Sequence, residues 1–282
     1  MKPEHIEKIV DSIDRLPTLP VIYTRLSDLL AESDSTVRTI AEVISEDPTI
    51  AAKILKIVNS AFYGFPKKIG NLQRAVVILG LNEIKTMVLA TSILKTFMRL
   101  DSDCAFDMKS YWEHSVGCAV SAKIVAEAAY LKNPEDVFTG GLLHDIGKLI
   151  HALYLPREFS RVIAEVEHTG IPMIESEKGV FGFTHTHTGK ILAEKWHFPE
   201  ETVNMVAQHH VDGDFPNLSK EVAAVHLGNT LCIAFGLGSA GEKVVPMVNQ
   251  KAWEILGLQL SDLESISGRI QKSFREASVI LE

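Results

Sequence analysis

The sequence predicts an all-α protein, and three observations carry that expectation. Apolar residues recur at the three-and-four spacing of an amphipathic helix from end to end. Strict apolar/polar alternation over four to eight residues is hard to find anywhere. Helix-start residues stand in front of the periodic stretches. The clearest case is residues 47–61, where Asp47 can cap, Pro48 suits a first turn, and Ile50, Ile54, Ile57, Val58 and Ala61 share one stripe. Upstream, LPTLP at 16–20 reads as a rigid double-proline turn, and Gly64-Phe65-Pro66 breaks the chain after the first long helix. Asn71 opens a short helix that Gly80 ends, and Asn82 is expected to cap the next, which runs to about Phe97. At the far end, Ser261-x-x-Glu264 has capping-box spacing. Leu263, Ile266, Ile270, Phe274 and Ala277 then form a stripe that docks the last helix.

Composition narrows the class of function. The 282 residues, 46% hydrophobic and 23% charged, can build a sizeable core and exclude a disordered tail, a coiled coil or a fibre. Cys104, Cys118 and Cys232 are far apart with no C-x-x-C pair, which fits a reducing compartment, so a cytoplasmic protein is expected. The charged N-terminal stretch is no signal peptide, and no apolar run approaches the ~18 residues of a membrane span. Net charge is −8, unevenly spread: residues 1–49 hold 5 Lys/Arg against 10 Asp/Glu, residues 50–100 hold 8 against 1, and residues 101–282 hold 15 against 25. The basic middle segment reads either as a solvated helical face or as a surface for an acidic partner, built from Lys53, Lys56, Lys67, Lys68 and Arg74. A short helix, a glycine turn and a longer helix over 72–97 also invite comparison with helix-turn-helix readers. The acidic total opposes DNA binding.

The polar stretch RLDSDCAFDMKS at 99–110 separates this first region from a histidine-rich remainder, which places a boundary near residue 103. Five histidines form a spaced series there: His114 in YWEHS, His144 in LLHDIGK, His185 in FTHTHTG and the pair His209-His210. A single histidine on an apolar helix is ordinarily a hydrogen-bonded core residue, and His187 and His226 are read that way. The series differs because His144-Asp145 closes an apolar helix and runs toward a glycine. Both side chains can then enter one cavity, whereas a continuous helix would splay them by about 100°. Imidazole nitrogen with carboxylate oxygen suits iron, manganese, zinc or nickel, one ion or two.

At these residues the chain resembles two related families. LPTLP, DPTIAAKILKIVNSAFYG (47–64) and the ILG at 78–80 are similar to the HDOD family; YWEHS, HDIGK, the His185-x-x-x-Gly189 spacing and the HH pair are similar to the HD superfamily of metal-dependent phosphohydrolases. The resemblance implies an N-terminal helical subdomain, 1–103, packed on an HD-like helical subdomain, 104–282. Residue by residue, it implies a dinuclear centre like that of HD-GYP phosphodiesterases. His114 and His144 would hold one ion, Asp145 would bridge, and His185, His209 and His210 would hold the second; Lys148 would contact the scissile phosphate, leaving Asp145 and Lys148 as the catalytic pair. Two departures bear on activity. Asn229 stands where a final metal-binding aspartate is expected, and an amide neither matches a carboxylate as a ligand for a hard cation nor offsets its charge. VDGDFP (211–216) replaces the longer GYP loop, so the cyclic dinucleotide pocket is not carried over. The expectation is a bacterial signal-transduction protein, with no attached receiver, cyclase or sensor module. It would hold at least one divalent ion and act by binding a signalling partner or a nucleotide. The alternative is an active phosphohydrolase on a nucleotide or phosphate ester.

Overall fold

In the computed structural model, residues 21–31, 35–59, 63, 65–97, 106–210 and 217–277 are described. All regular structure among them is helical, with no strand. LPTLP, Ala61 of the 47–61 stripe, Gly64, Cys104 and VDGDFP (211–216) lie outside these residues. The chain divides into two compact units, with the helices of residues 21–97 in one and those from 106 to 274 in the other.

The first unit holds α1 (Val21–Ala31), α2 (Val37–Ser45), α3 (Pro48–Val58), α4 (Leu72–Leu79) and α5 (Leu81–Phe97). Thr36 caps α2 by a reciprocal pair of hydrogen bonds with Thr39. Asp47 caps α3 by accepting from Thr49 and Ile50 N–H at 3.0 and 3.2 Å, and Asn71 caps α4 by accepting from Arg74 N–H at 2.8 Å. The stripe read from the sequence is the buried face of α3: Ile50, Ile54, Ile57 and Val58. Asn59, in the NSAFYG stretch, is a staple: its amide donates to Leu55 O and Ile69 O and accepts from Ile69 N–H, at 2.7, 2.9 and 2.7 Å. Asn82 does not cap the following helix, because α5 already starts at Leu81 and Gly80 O accepts from Ile84 N–H. Gly80, at φ 84°, lets one residue make the whole turn. From Met87 to Ile93 every residue of α5 is buried, so this stretch has no free face to enter a DNA groove.

The second unit comprises α6 (Met108–Ala128), α7 (Pro134–Leu143), α8 (Ile146–Tyr154), α9 (Pro156–Thr169), α10 (Met173–Val180), α11 (His185–Lys195), α12 (Glu200–Gln208), α13 (Lys220–Ala234), α14 (Gln250–Leu256) and α15 (Asp262–Ala277). Capped by Asp107, α6 is buried along nearly its whole length and is the axis against which α7 and α13 pack. An all-round buried helix needs no amphipathic stripe, and α6 and α13 show none. Ile266 and Ile270 of the last helix are buried, as its stripe predicts. No helix among the described residues is long and apolar enough to cross a membrane.

Candidate metal centre

The centre is built where α7 stops. His144 and Asp145 form the turn between α7 and α8, with Asp145 at φ −99°, ψ 11°, so both side chains face inward from one short break. Gly147, two residues on, brings α8 against the start of α11. A Cβ there would sit 2.0 Å from His185 O, so any larger residue would push His185 away from Asp145. His185 is the first residue of α11, His209-His210 follow the end of α12, and His114 lies in the second turn of α6. Four separated stretches thus meet at Asp145.

Asp145 Oδ1 lies 3.2 Å from His185 Nε2 and 3.5 Å from His209 Nε2; Oδ2 lies 3.2 Å from His144 Nε2, 3.5 Å from His114 Nε2 and 2.8 Å from Lys148 Nζ. Nε2 of His185 is 3.3 Å from that of His209 and 3.1 Å from that of His210, and the Nε2 atoms of His114 and His144 are 3.3 Å apart. Within each of two groups, Asp145/His185/His209/His210 and His114/His144/Asp145, the donor atoms lie within 4.8 Å of one another. Every expected site residue is therefore brought together. Apart from His210, which is half-buried, all are buried.

Outer hydrogen bonds set the tautomers. A carbonyl oxygen only accepts, so His144 Nδ1–H donates to Gly141 O (2.7 Å) and His209 Nδ1–H donates to Val206 O (2.9 Å). His185 Nδ1–H donates to Glu177 Oε2 (2.7 Å). In a neutral ring this leaves each Nε2 with a lone pair aimed at its neighbours and at a carboxylate. Lone pairs 3.1–3.5 Å apart repel unless a cation lies between them. A tetrahedral ion with bonds of about 2.0–2.1 Å needs ligand atoms about 3.3 Å apart, and the distances from His185 to Asp145 Oδ1, His209 and His210 and from His209 to Asp145 Oδ1 are close to that. Asp145 Oδ1, buried, has no hydrogen-bond partner among the described residues. The donor set fits a divalent ion.

Charge follows from burial. Burial alone would favour the neutral acid at Asp145, but the Lys148 ammonium beside it holds its carboxyl well below the usual range. Likewise burial disfavours the Lys148 ammonium, and Asp145 and Glu242 outweigh it. Burial pushes His209 down to about 3 and also lowers His144 and His210, keeping these rings neutral as ligands must be. His114 differs: burial opposes its charge, but the Cys232 sulfur and Asp145 raise it to about 10. Its Nδ1 faces Cys232 Sγ at 3.6 Å, a weaker brace than the oxygens behind the other three rings.

Two carboxylates escaped the sequence reading. Glu177, fully buried, accepts from His185 N–H (2.9 Å) and Nδ1–H and lies 3.2 Å from His151 Nδ1; the far side of His151 meets Thr188 Oγ1 at 2.9 Å. Glu242 is ion-paired with Lys148. Neither stands in a motif, since their partners lie 8 and 94 residues away. Buried His226 donates to His209 O and accepts from Asn249 N–H, as read from the sequence, whereas His187 is exposed rather than in the core and is bonded to Thr184 Oγ1. Asn229 is buried on α13, its Oδ1 without a hydrogen-bond partner among the described residues.

The HDOD domain matches residues 16–211, more than two thirds of the chain. The protein belongs to the HDOD family. All seven expected site residues fall inside the match, whereas Asn229 and Glu242 lie beyond it. An HDOD domain protein of unknown function from Geobacter sulfurreducens is similar over 97% of this chain and 95% of its own, at 27% identity and a TM-score of 0.82. A protein from Shewanella amazonensis, provisionally named a phosphohydrolase, shares the fold with a TM-score of 0.75 at 24% identity, over 97% of this chain and 98% of its own. An uncharacterized protein of Treponema pallidum is 24% identical over 206 residues, 72% of this HDOD chain. The chain spans only 39% of that relative's length.

Proposed function

We propose that this HDOD protein is a cytoplasmic bacterial signal-transduction component whose second unit holds a divalent ion and which acts by binding a partner protein or a nucleotide. The observation that carries the reading is the buried Asp145 Oδ1, without a hydrogen-bond partner among the described residues, facing the Nε2 atoms of His185 and His209, with His210 beside them. Iron, manganese, zinc and nickel all suit that donor set. When bound, such an ion supplies Lewis acidity and lowers the pKa of coordinated water. The chain's own residues do the rest. Asp145 joins the two donor groups, Lys148 places a fixed positive charge beside Oδ2, and Glu177 holds the His185 ring in its tautomer. In the first unit Lys56, Lys67, Lys68 and Arg74 are exposed and offer an acidic partner a basic surface.

The second reading, a phosphohydrolase acting on a nucleotide or phosphate ester, is favoured by the intact His144-Asp145 turn and by the name given to the Shewanella protein. One comparison separates the two. Metal content and turnover of a generic phosphodiester in Mn²⁺ or Fe²⁺ are measured for the wild type and Asp145→Ala. The signalling reading expects bound metal that is lost in the variant, with calorimetric nucleotide binding or partner capture but no turnover. Turnover abolished by Asp145→Ala establishes the hydrolase, and a metal-free wild type removes both.

A further inference from the structure

The two oxygens of Asp145 are not equivalent. Oδ1 has no hydrogen-bond donor among the described residues, whereas Oδ2 takes the Lys148 ammonium at 2.8 Å, and the same ammonium is bound by Glu242 Oε1. Lys148 is fully buried and the Glu242 side chain is 7% exposed. Glu242 Oε2 is buried without a partner among the described residues. The segment between α13 and α14 that carries Glu242 is fixed beside α6. Ser239 N–H donates to Ser110 O at 2.9 Å, and Gly238, at φ 72°, lies so close that a Cβ would be 2.2 Å from His114 N. Glu242 is thus delivered by backbone packing on the His114 side of the site.

We infer that Lys148, clamped between Asp145 and Glu242, is the built-in second cation of this centre, so that the chain takes one divalent ion, on the Asp145 Oδ1 side, where the family likeness implies two. Charge supports the count. With the imidazoles counted as neutral, one divalent ion plus the ammonium matches the three carboxylates of Asp145, Glu177 and Glu242, and a proton on His114 adds only to the positive side. A second ion would leave two positive charges uncompensated in a site with little water, a costly arrangement. Asn229, neutral, cannot supply the missing charge. The ammonium also occupies the very oxygen that a His114/His144 ion would need.

The inference rests on the ion-binding reading above, and a titration distinguishes their failures. Chelator-stripped full-length protein is titrated with Mn²⁺ and with Zn²⁺ by calorimetry, and the ions per chain are counted for wild type, Asp145→Ala, His114→Ala, His210→Ala and Lys148→Met. The expected counts are one for the wild type and for His114→Ala and none for Asp145→Ala. His210→Ala should bind at least tenfold more weakly. Lys148→Met, which removes the ammonium and leaves Glu242, should bind two. Two ions in the wild type, loss of the ion in His114→Ala with retention in His210→Ala, or a folded Lys148→Met that still binds one, overturns the one-ion inference. No ion in the wild type, or undiminished binding in Asp145→Ala, overturns the ion-binding reading instead. Should Lys148→Met fail to fold, the wild-type and His114→Ala counts still decide.

Discussion

Neutral, buried imidazoles are the residue-scale signature of this centre, and they fix how stability depends on pH. Burial pushes His144, His151, His209 and His210 below the ordinary imidazole range, His209 to about 3. An unfolded imidazole takes up a proton near pH 6.5, so between about pH 6.5 and 3 the unfolded chain binds more protons than the folded one. Stability therefore falls as pH drops through that window, by at most about 1.4 kcal/mol per pH unit for each such ring. His114 acts in the opposite sense. With its folded value raised to about 10, its contribution is complete below pH 6.5 and is lost as pH rises toward 10. For chelator-treated protein, the urea midpoint is expected to be highest near pH 6.5 and lower at both pH 5 and pH 9. A midpoint unchanged from pH 6.5 to 5 would contradict the neutral rings, and one that climbs from pH 7 to 9 would contradict the charged His114. The histidines themselves were legible from their spacing. Glu177 and Glu242 were not, because a carboxylate that reaches its partner through the fold leaves no local pattern in the chain.

At the scale of elements, the site depends on how closely two helix starts approach. Gly147 lets α8 lie with no side chain between it and α11, which is what puts His185 beside Asp145. Gly147→Ala must separate them, since the atom its Cβ meets is backbone rather than a movable side-chain end. A loss of about 1–3 kcal/mol or more in unfolding free energy is expected, together with a lower metal content, both measured on the purified variant. Wild-type values for both would contradict the account. Helix starts were well legible, because Asp47 and Asn71 cap by local chemistry. Some helix ends were not. The stretches after α6 and α11 turn through Tyr130 and His197, each at φ 55°, with the next residue's N–H bonded back to Ala126 O and Ala193 O. That is the helix-ending turn that glycine normally marks, so without a glycine the sequence gives no sign of it. Asn82 failed as a cap for a related reason: Gly80 shortens the turn to one residue and the helix starts before Asn82 is reached.

For the whole molecule, the all-α class was legible because helical periodicity is a property of every segment, and burial then follows the stripes in α3 and α15. Periodicity could not show the all-round burial of α6 and α13, which lack a polar face. Nor could it show the burial of α5 from Met87 to Ile93. Asp145 was the only anion assignable to the centre from the sequence, and the structure adds Glu177 and Glu242. The central claim is that Asp145, His185, His209 and His210, drawn from three separated stretches, converge on a divalent ion. Anomalous diffraction at the absorption edge of zinc or manganese, from crystals saturated with that metal, tests it most directly. The account predicts one peak, about 2.0–2.2 Å from Asp145 Oδ1 and from the Nε2 atoms of His185, His209 and His210. Saturated crystals with no peak at Asp145 would contradict it.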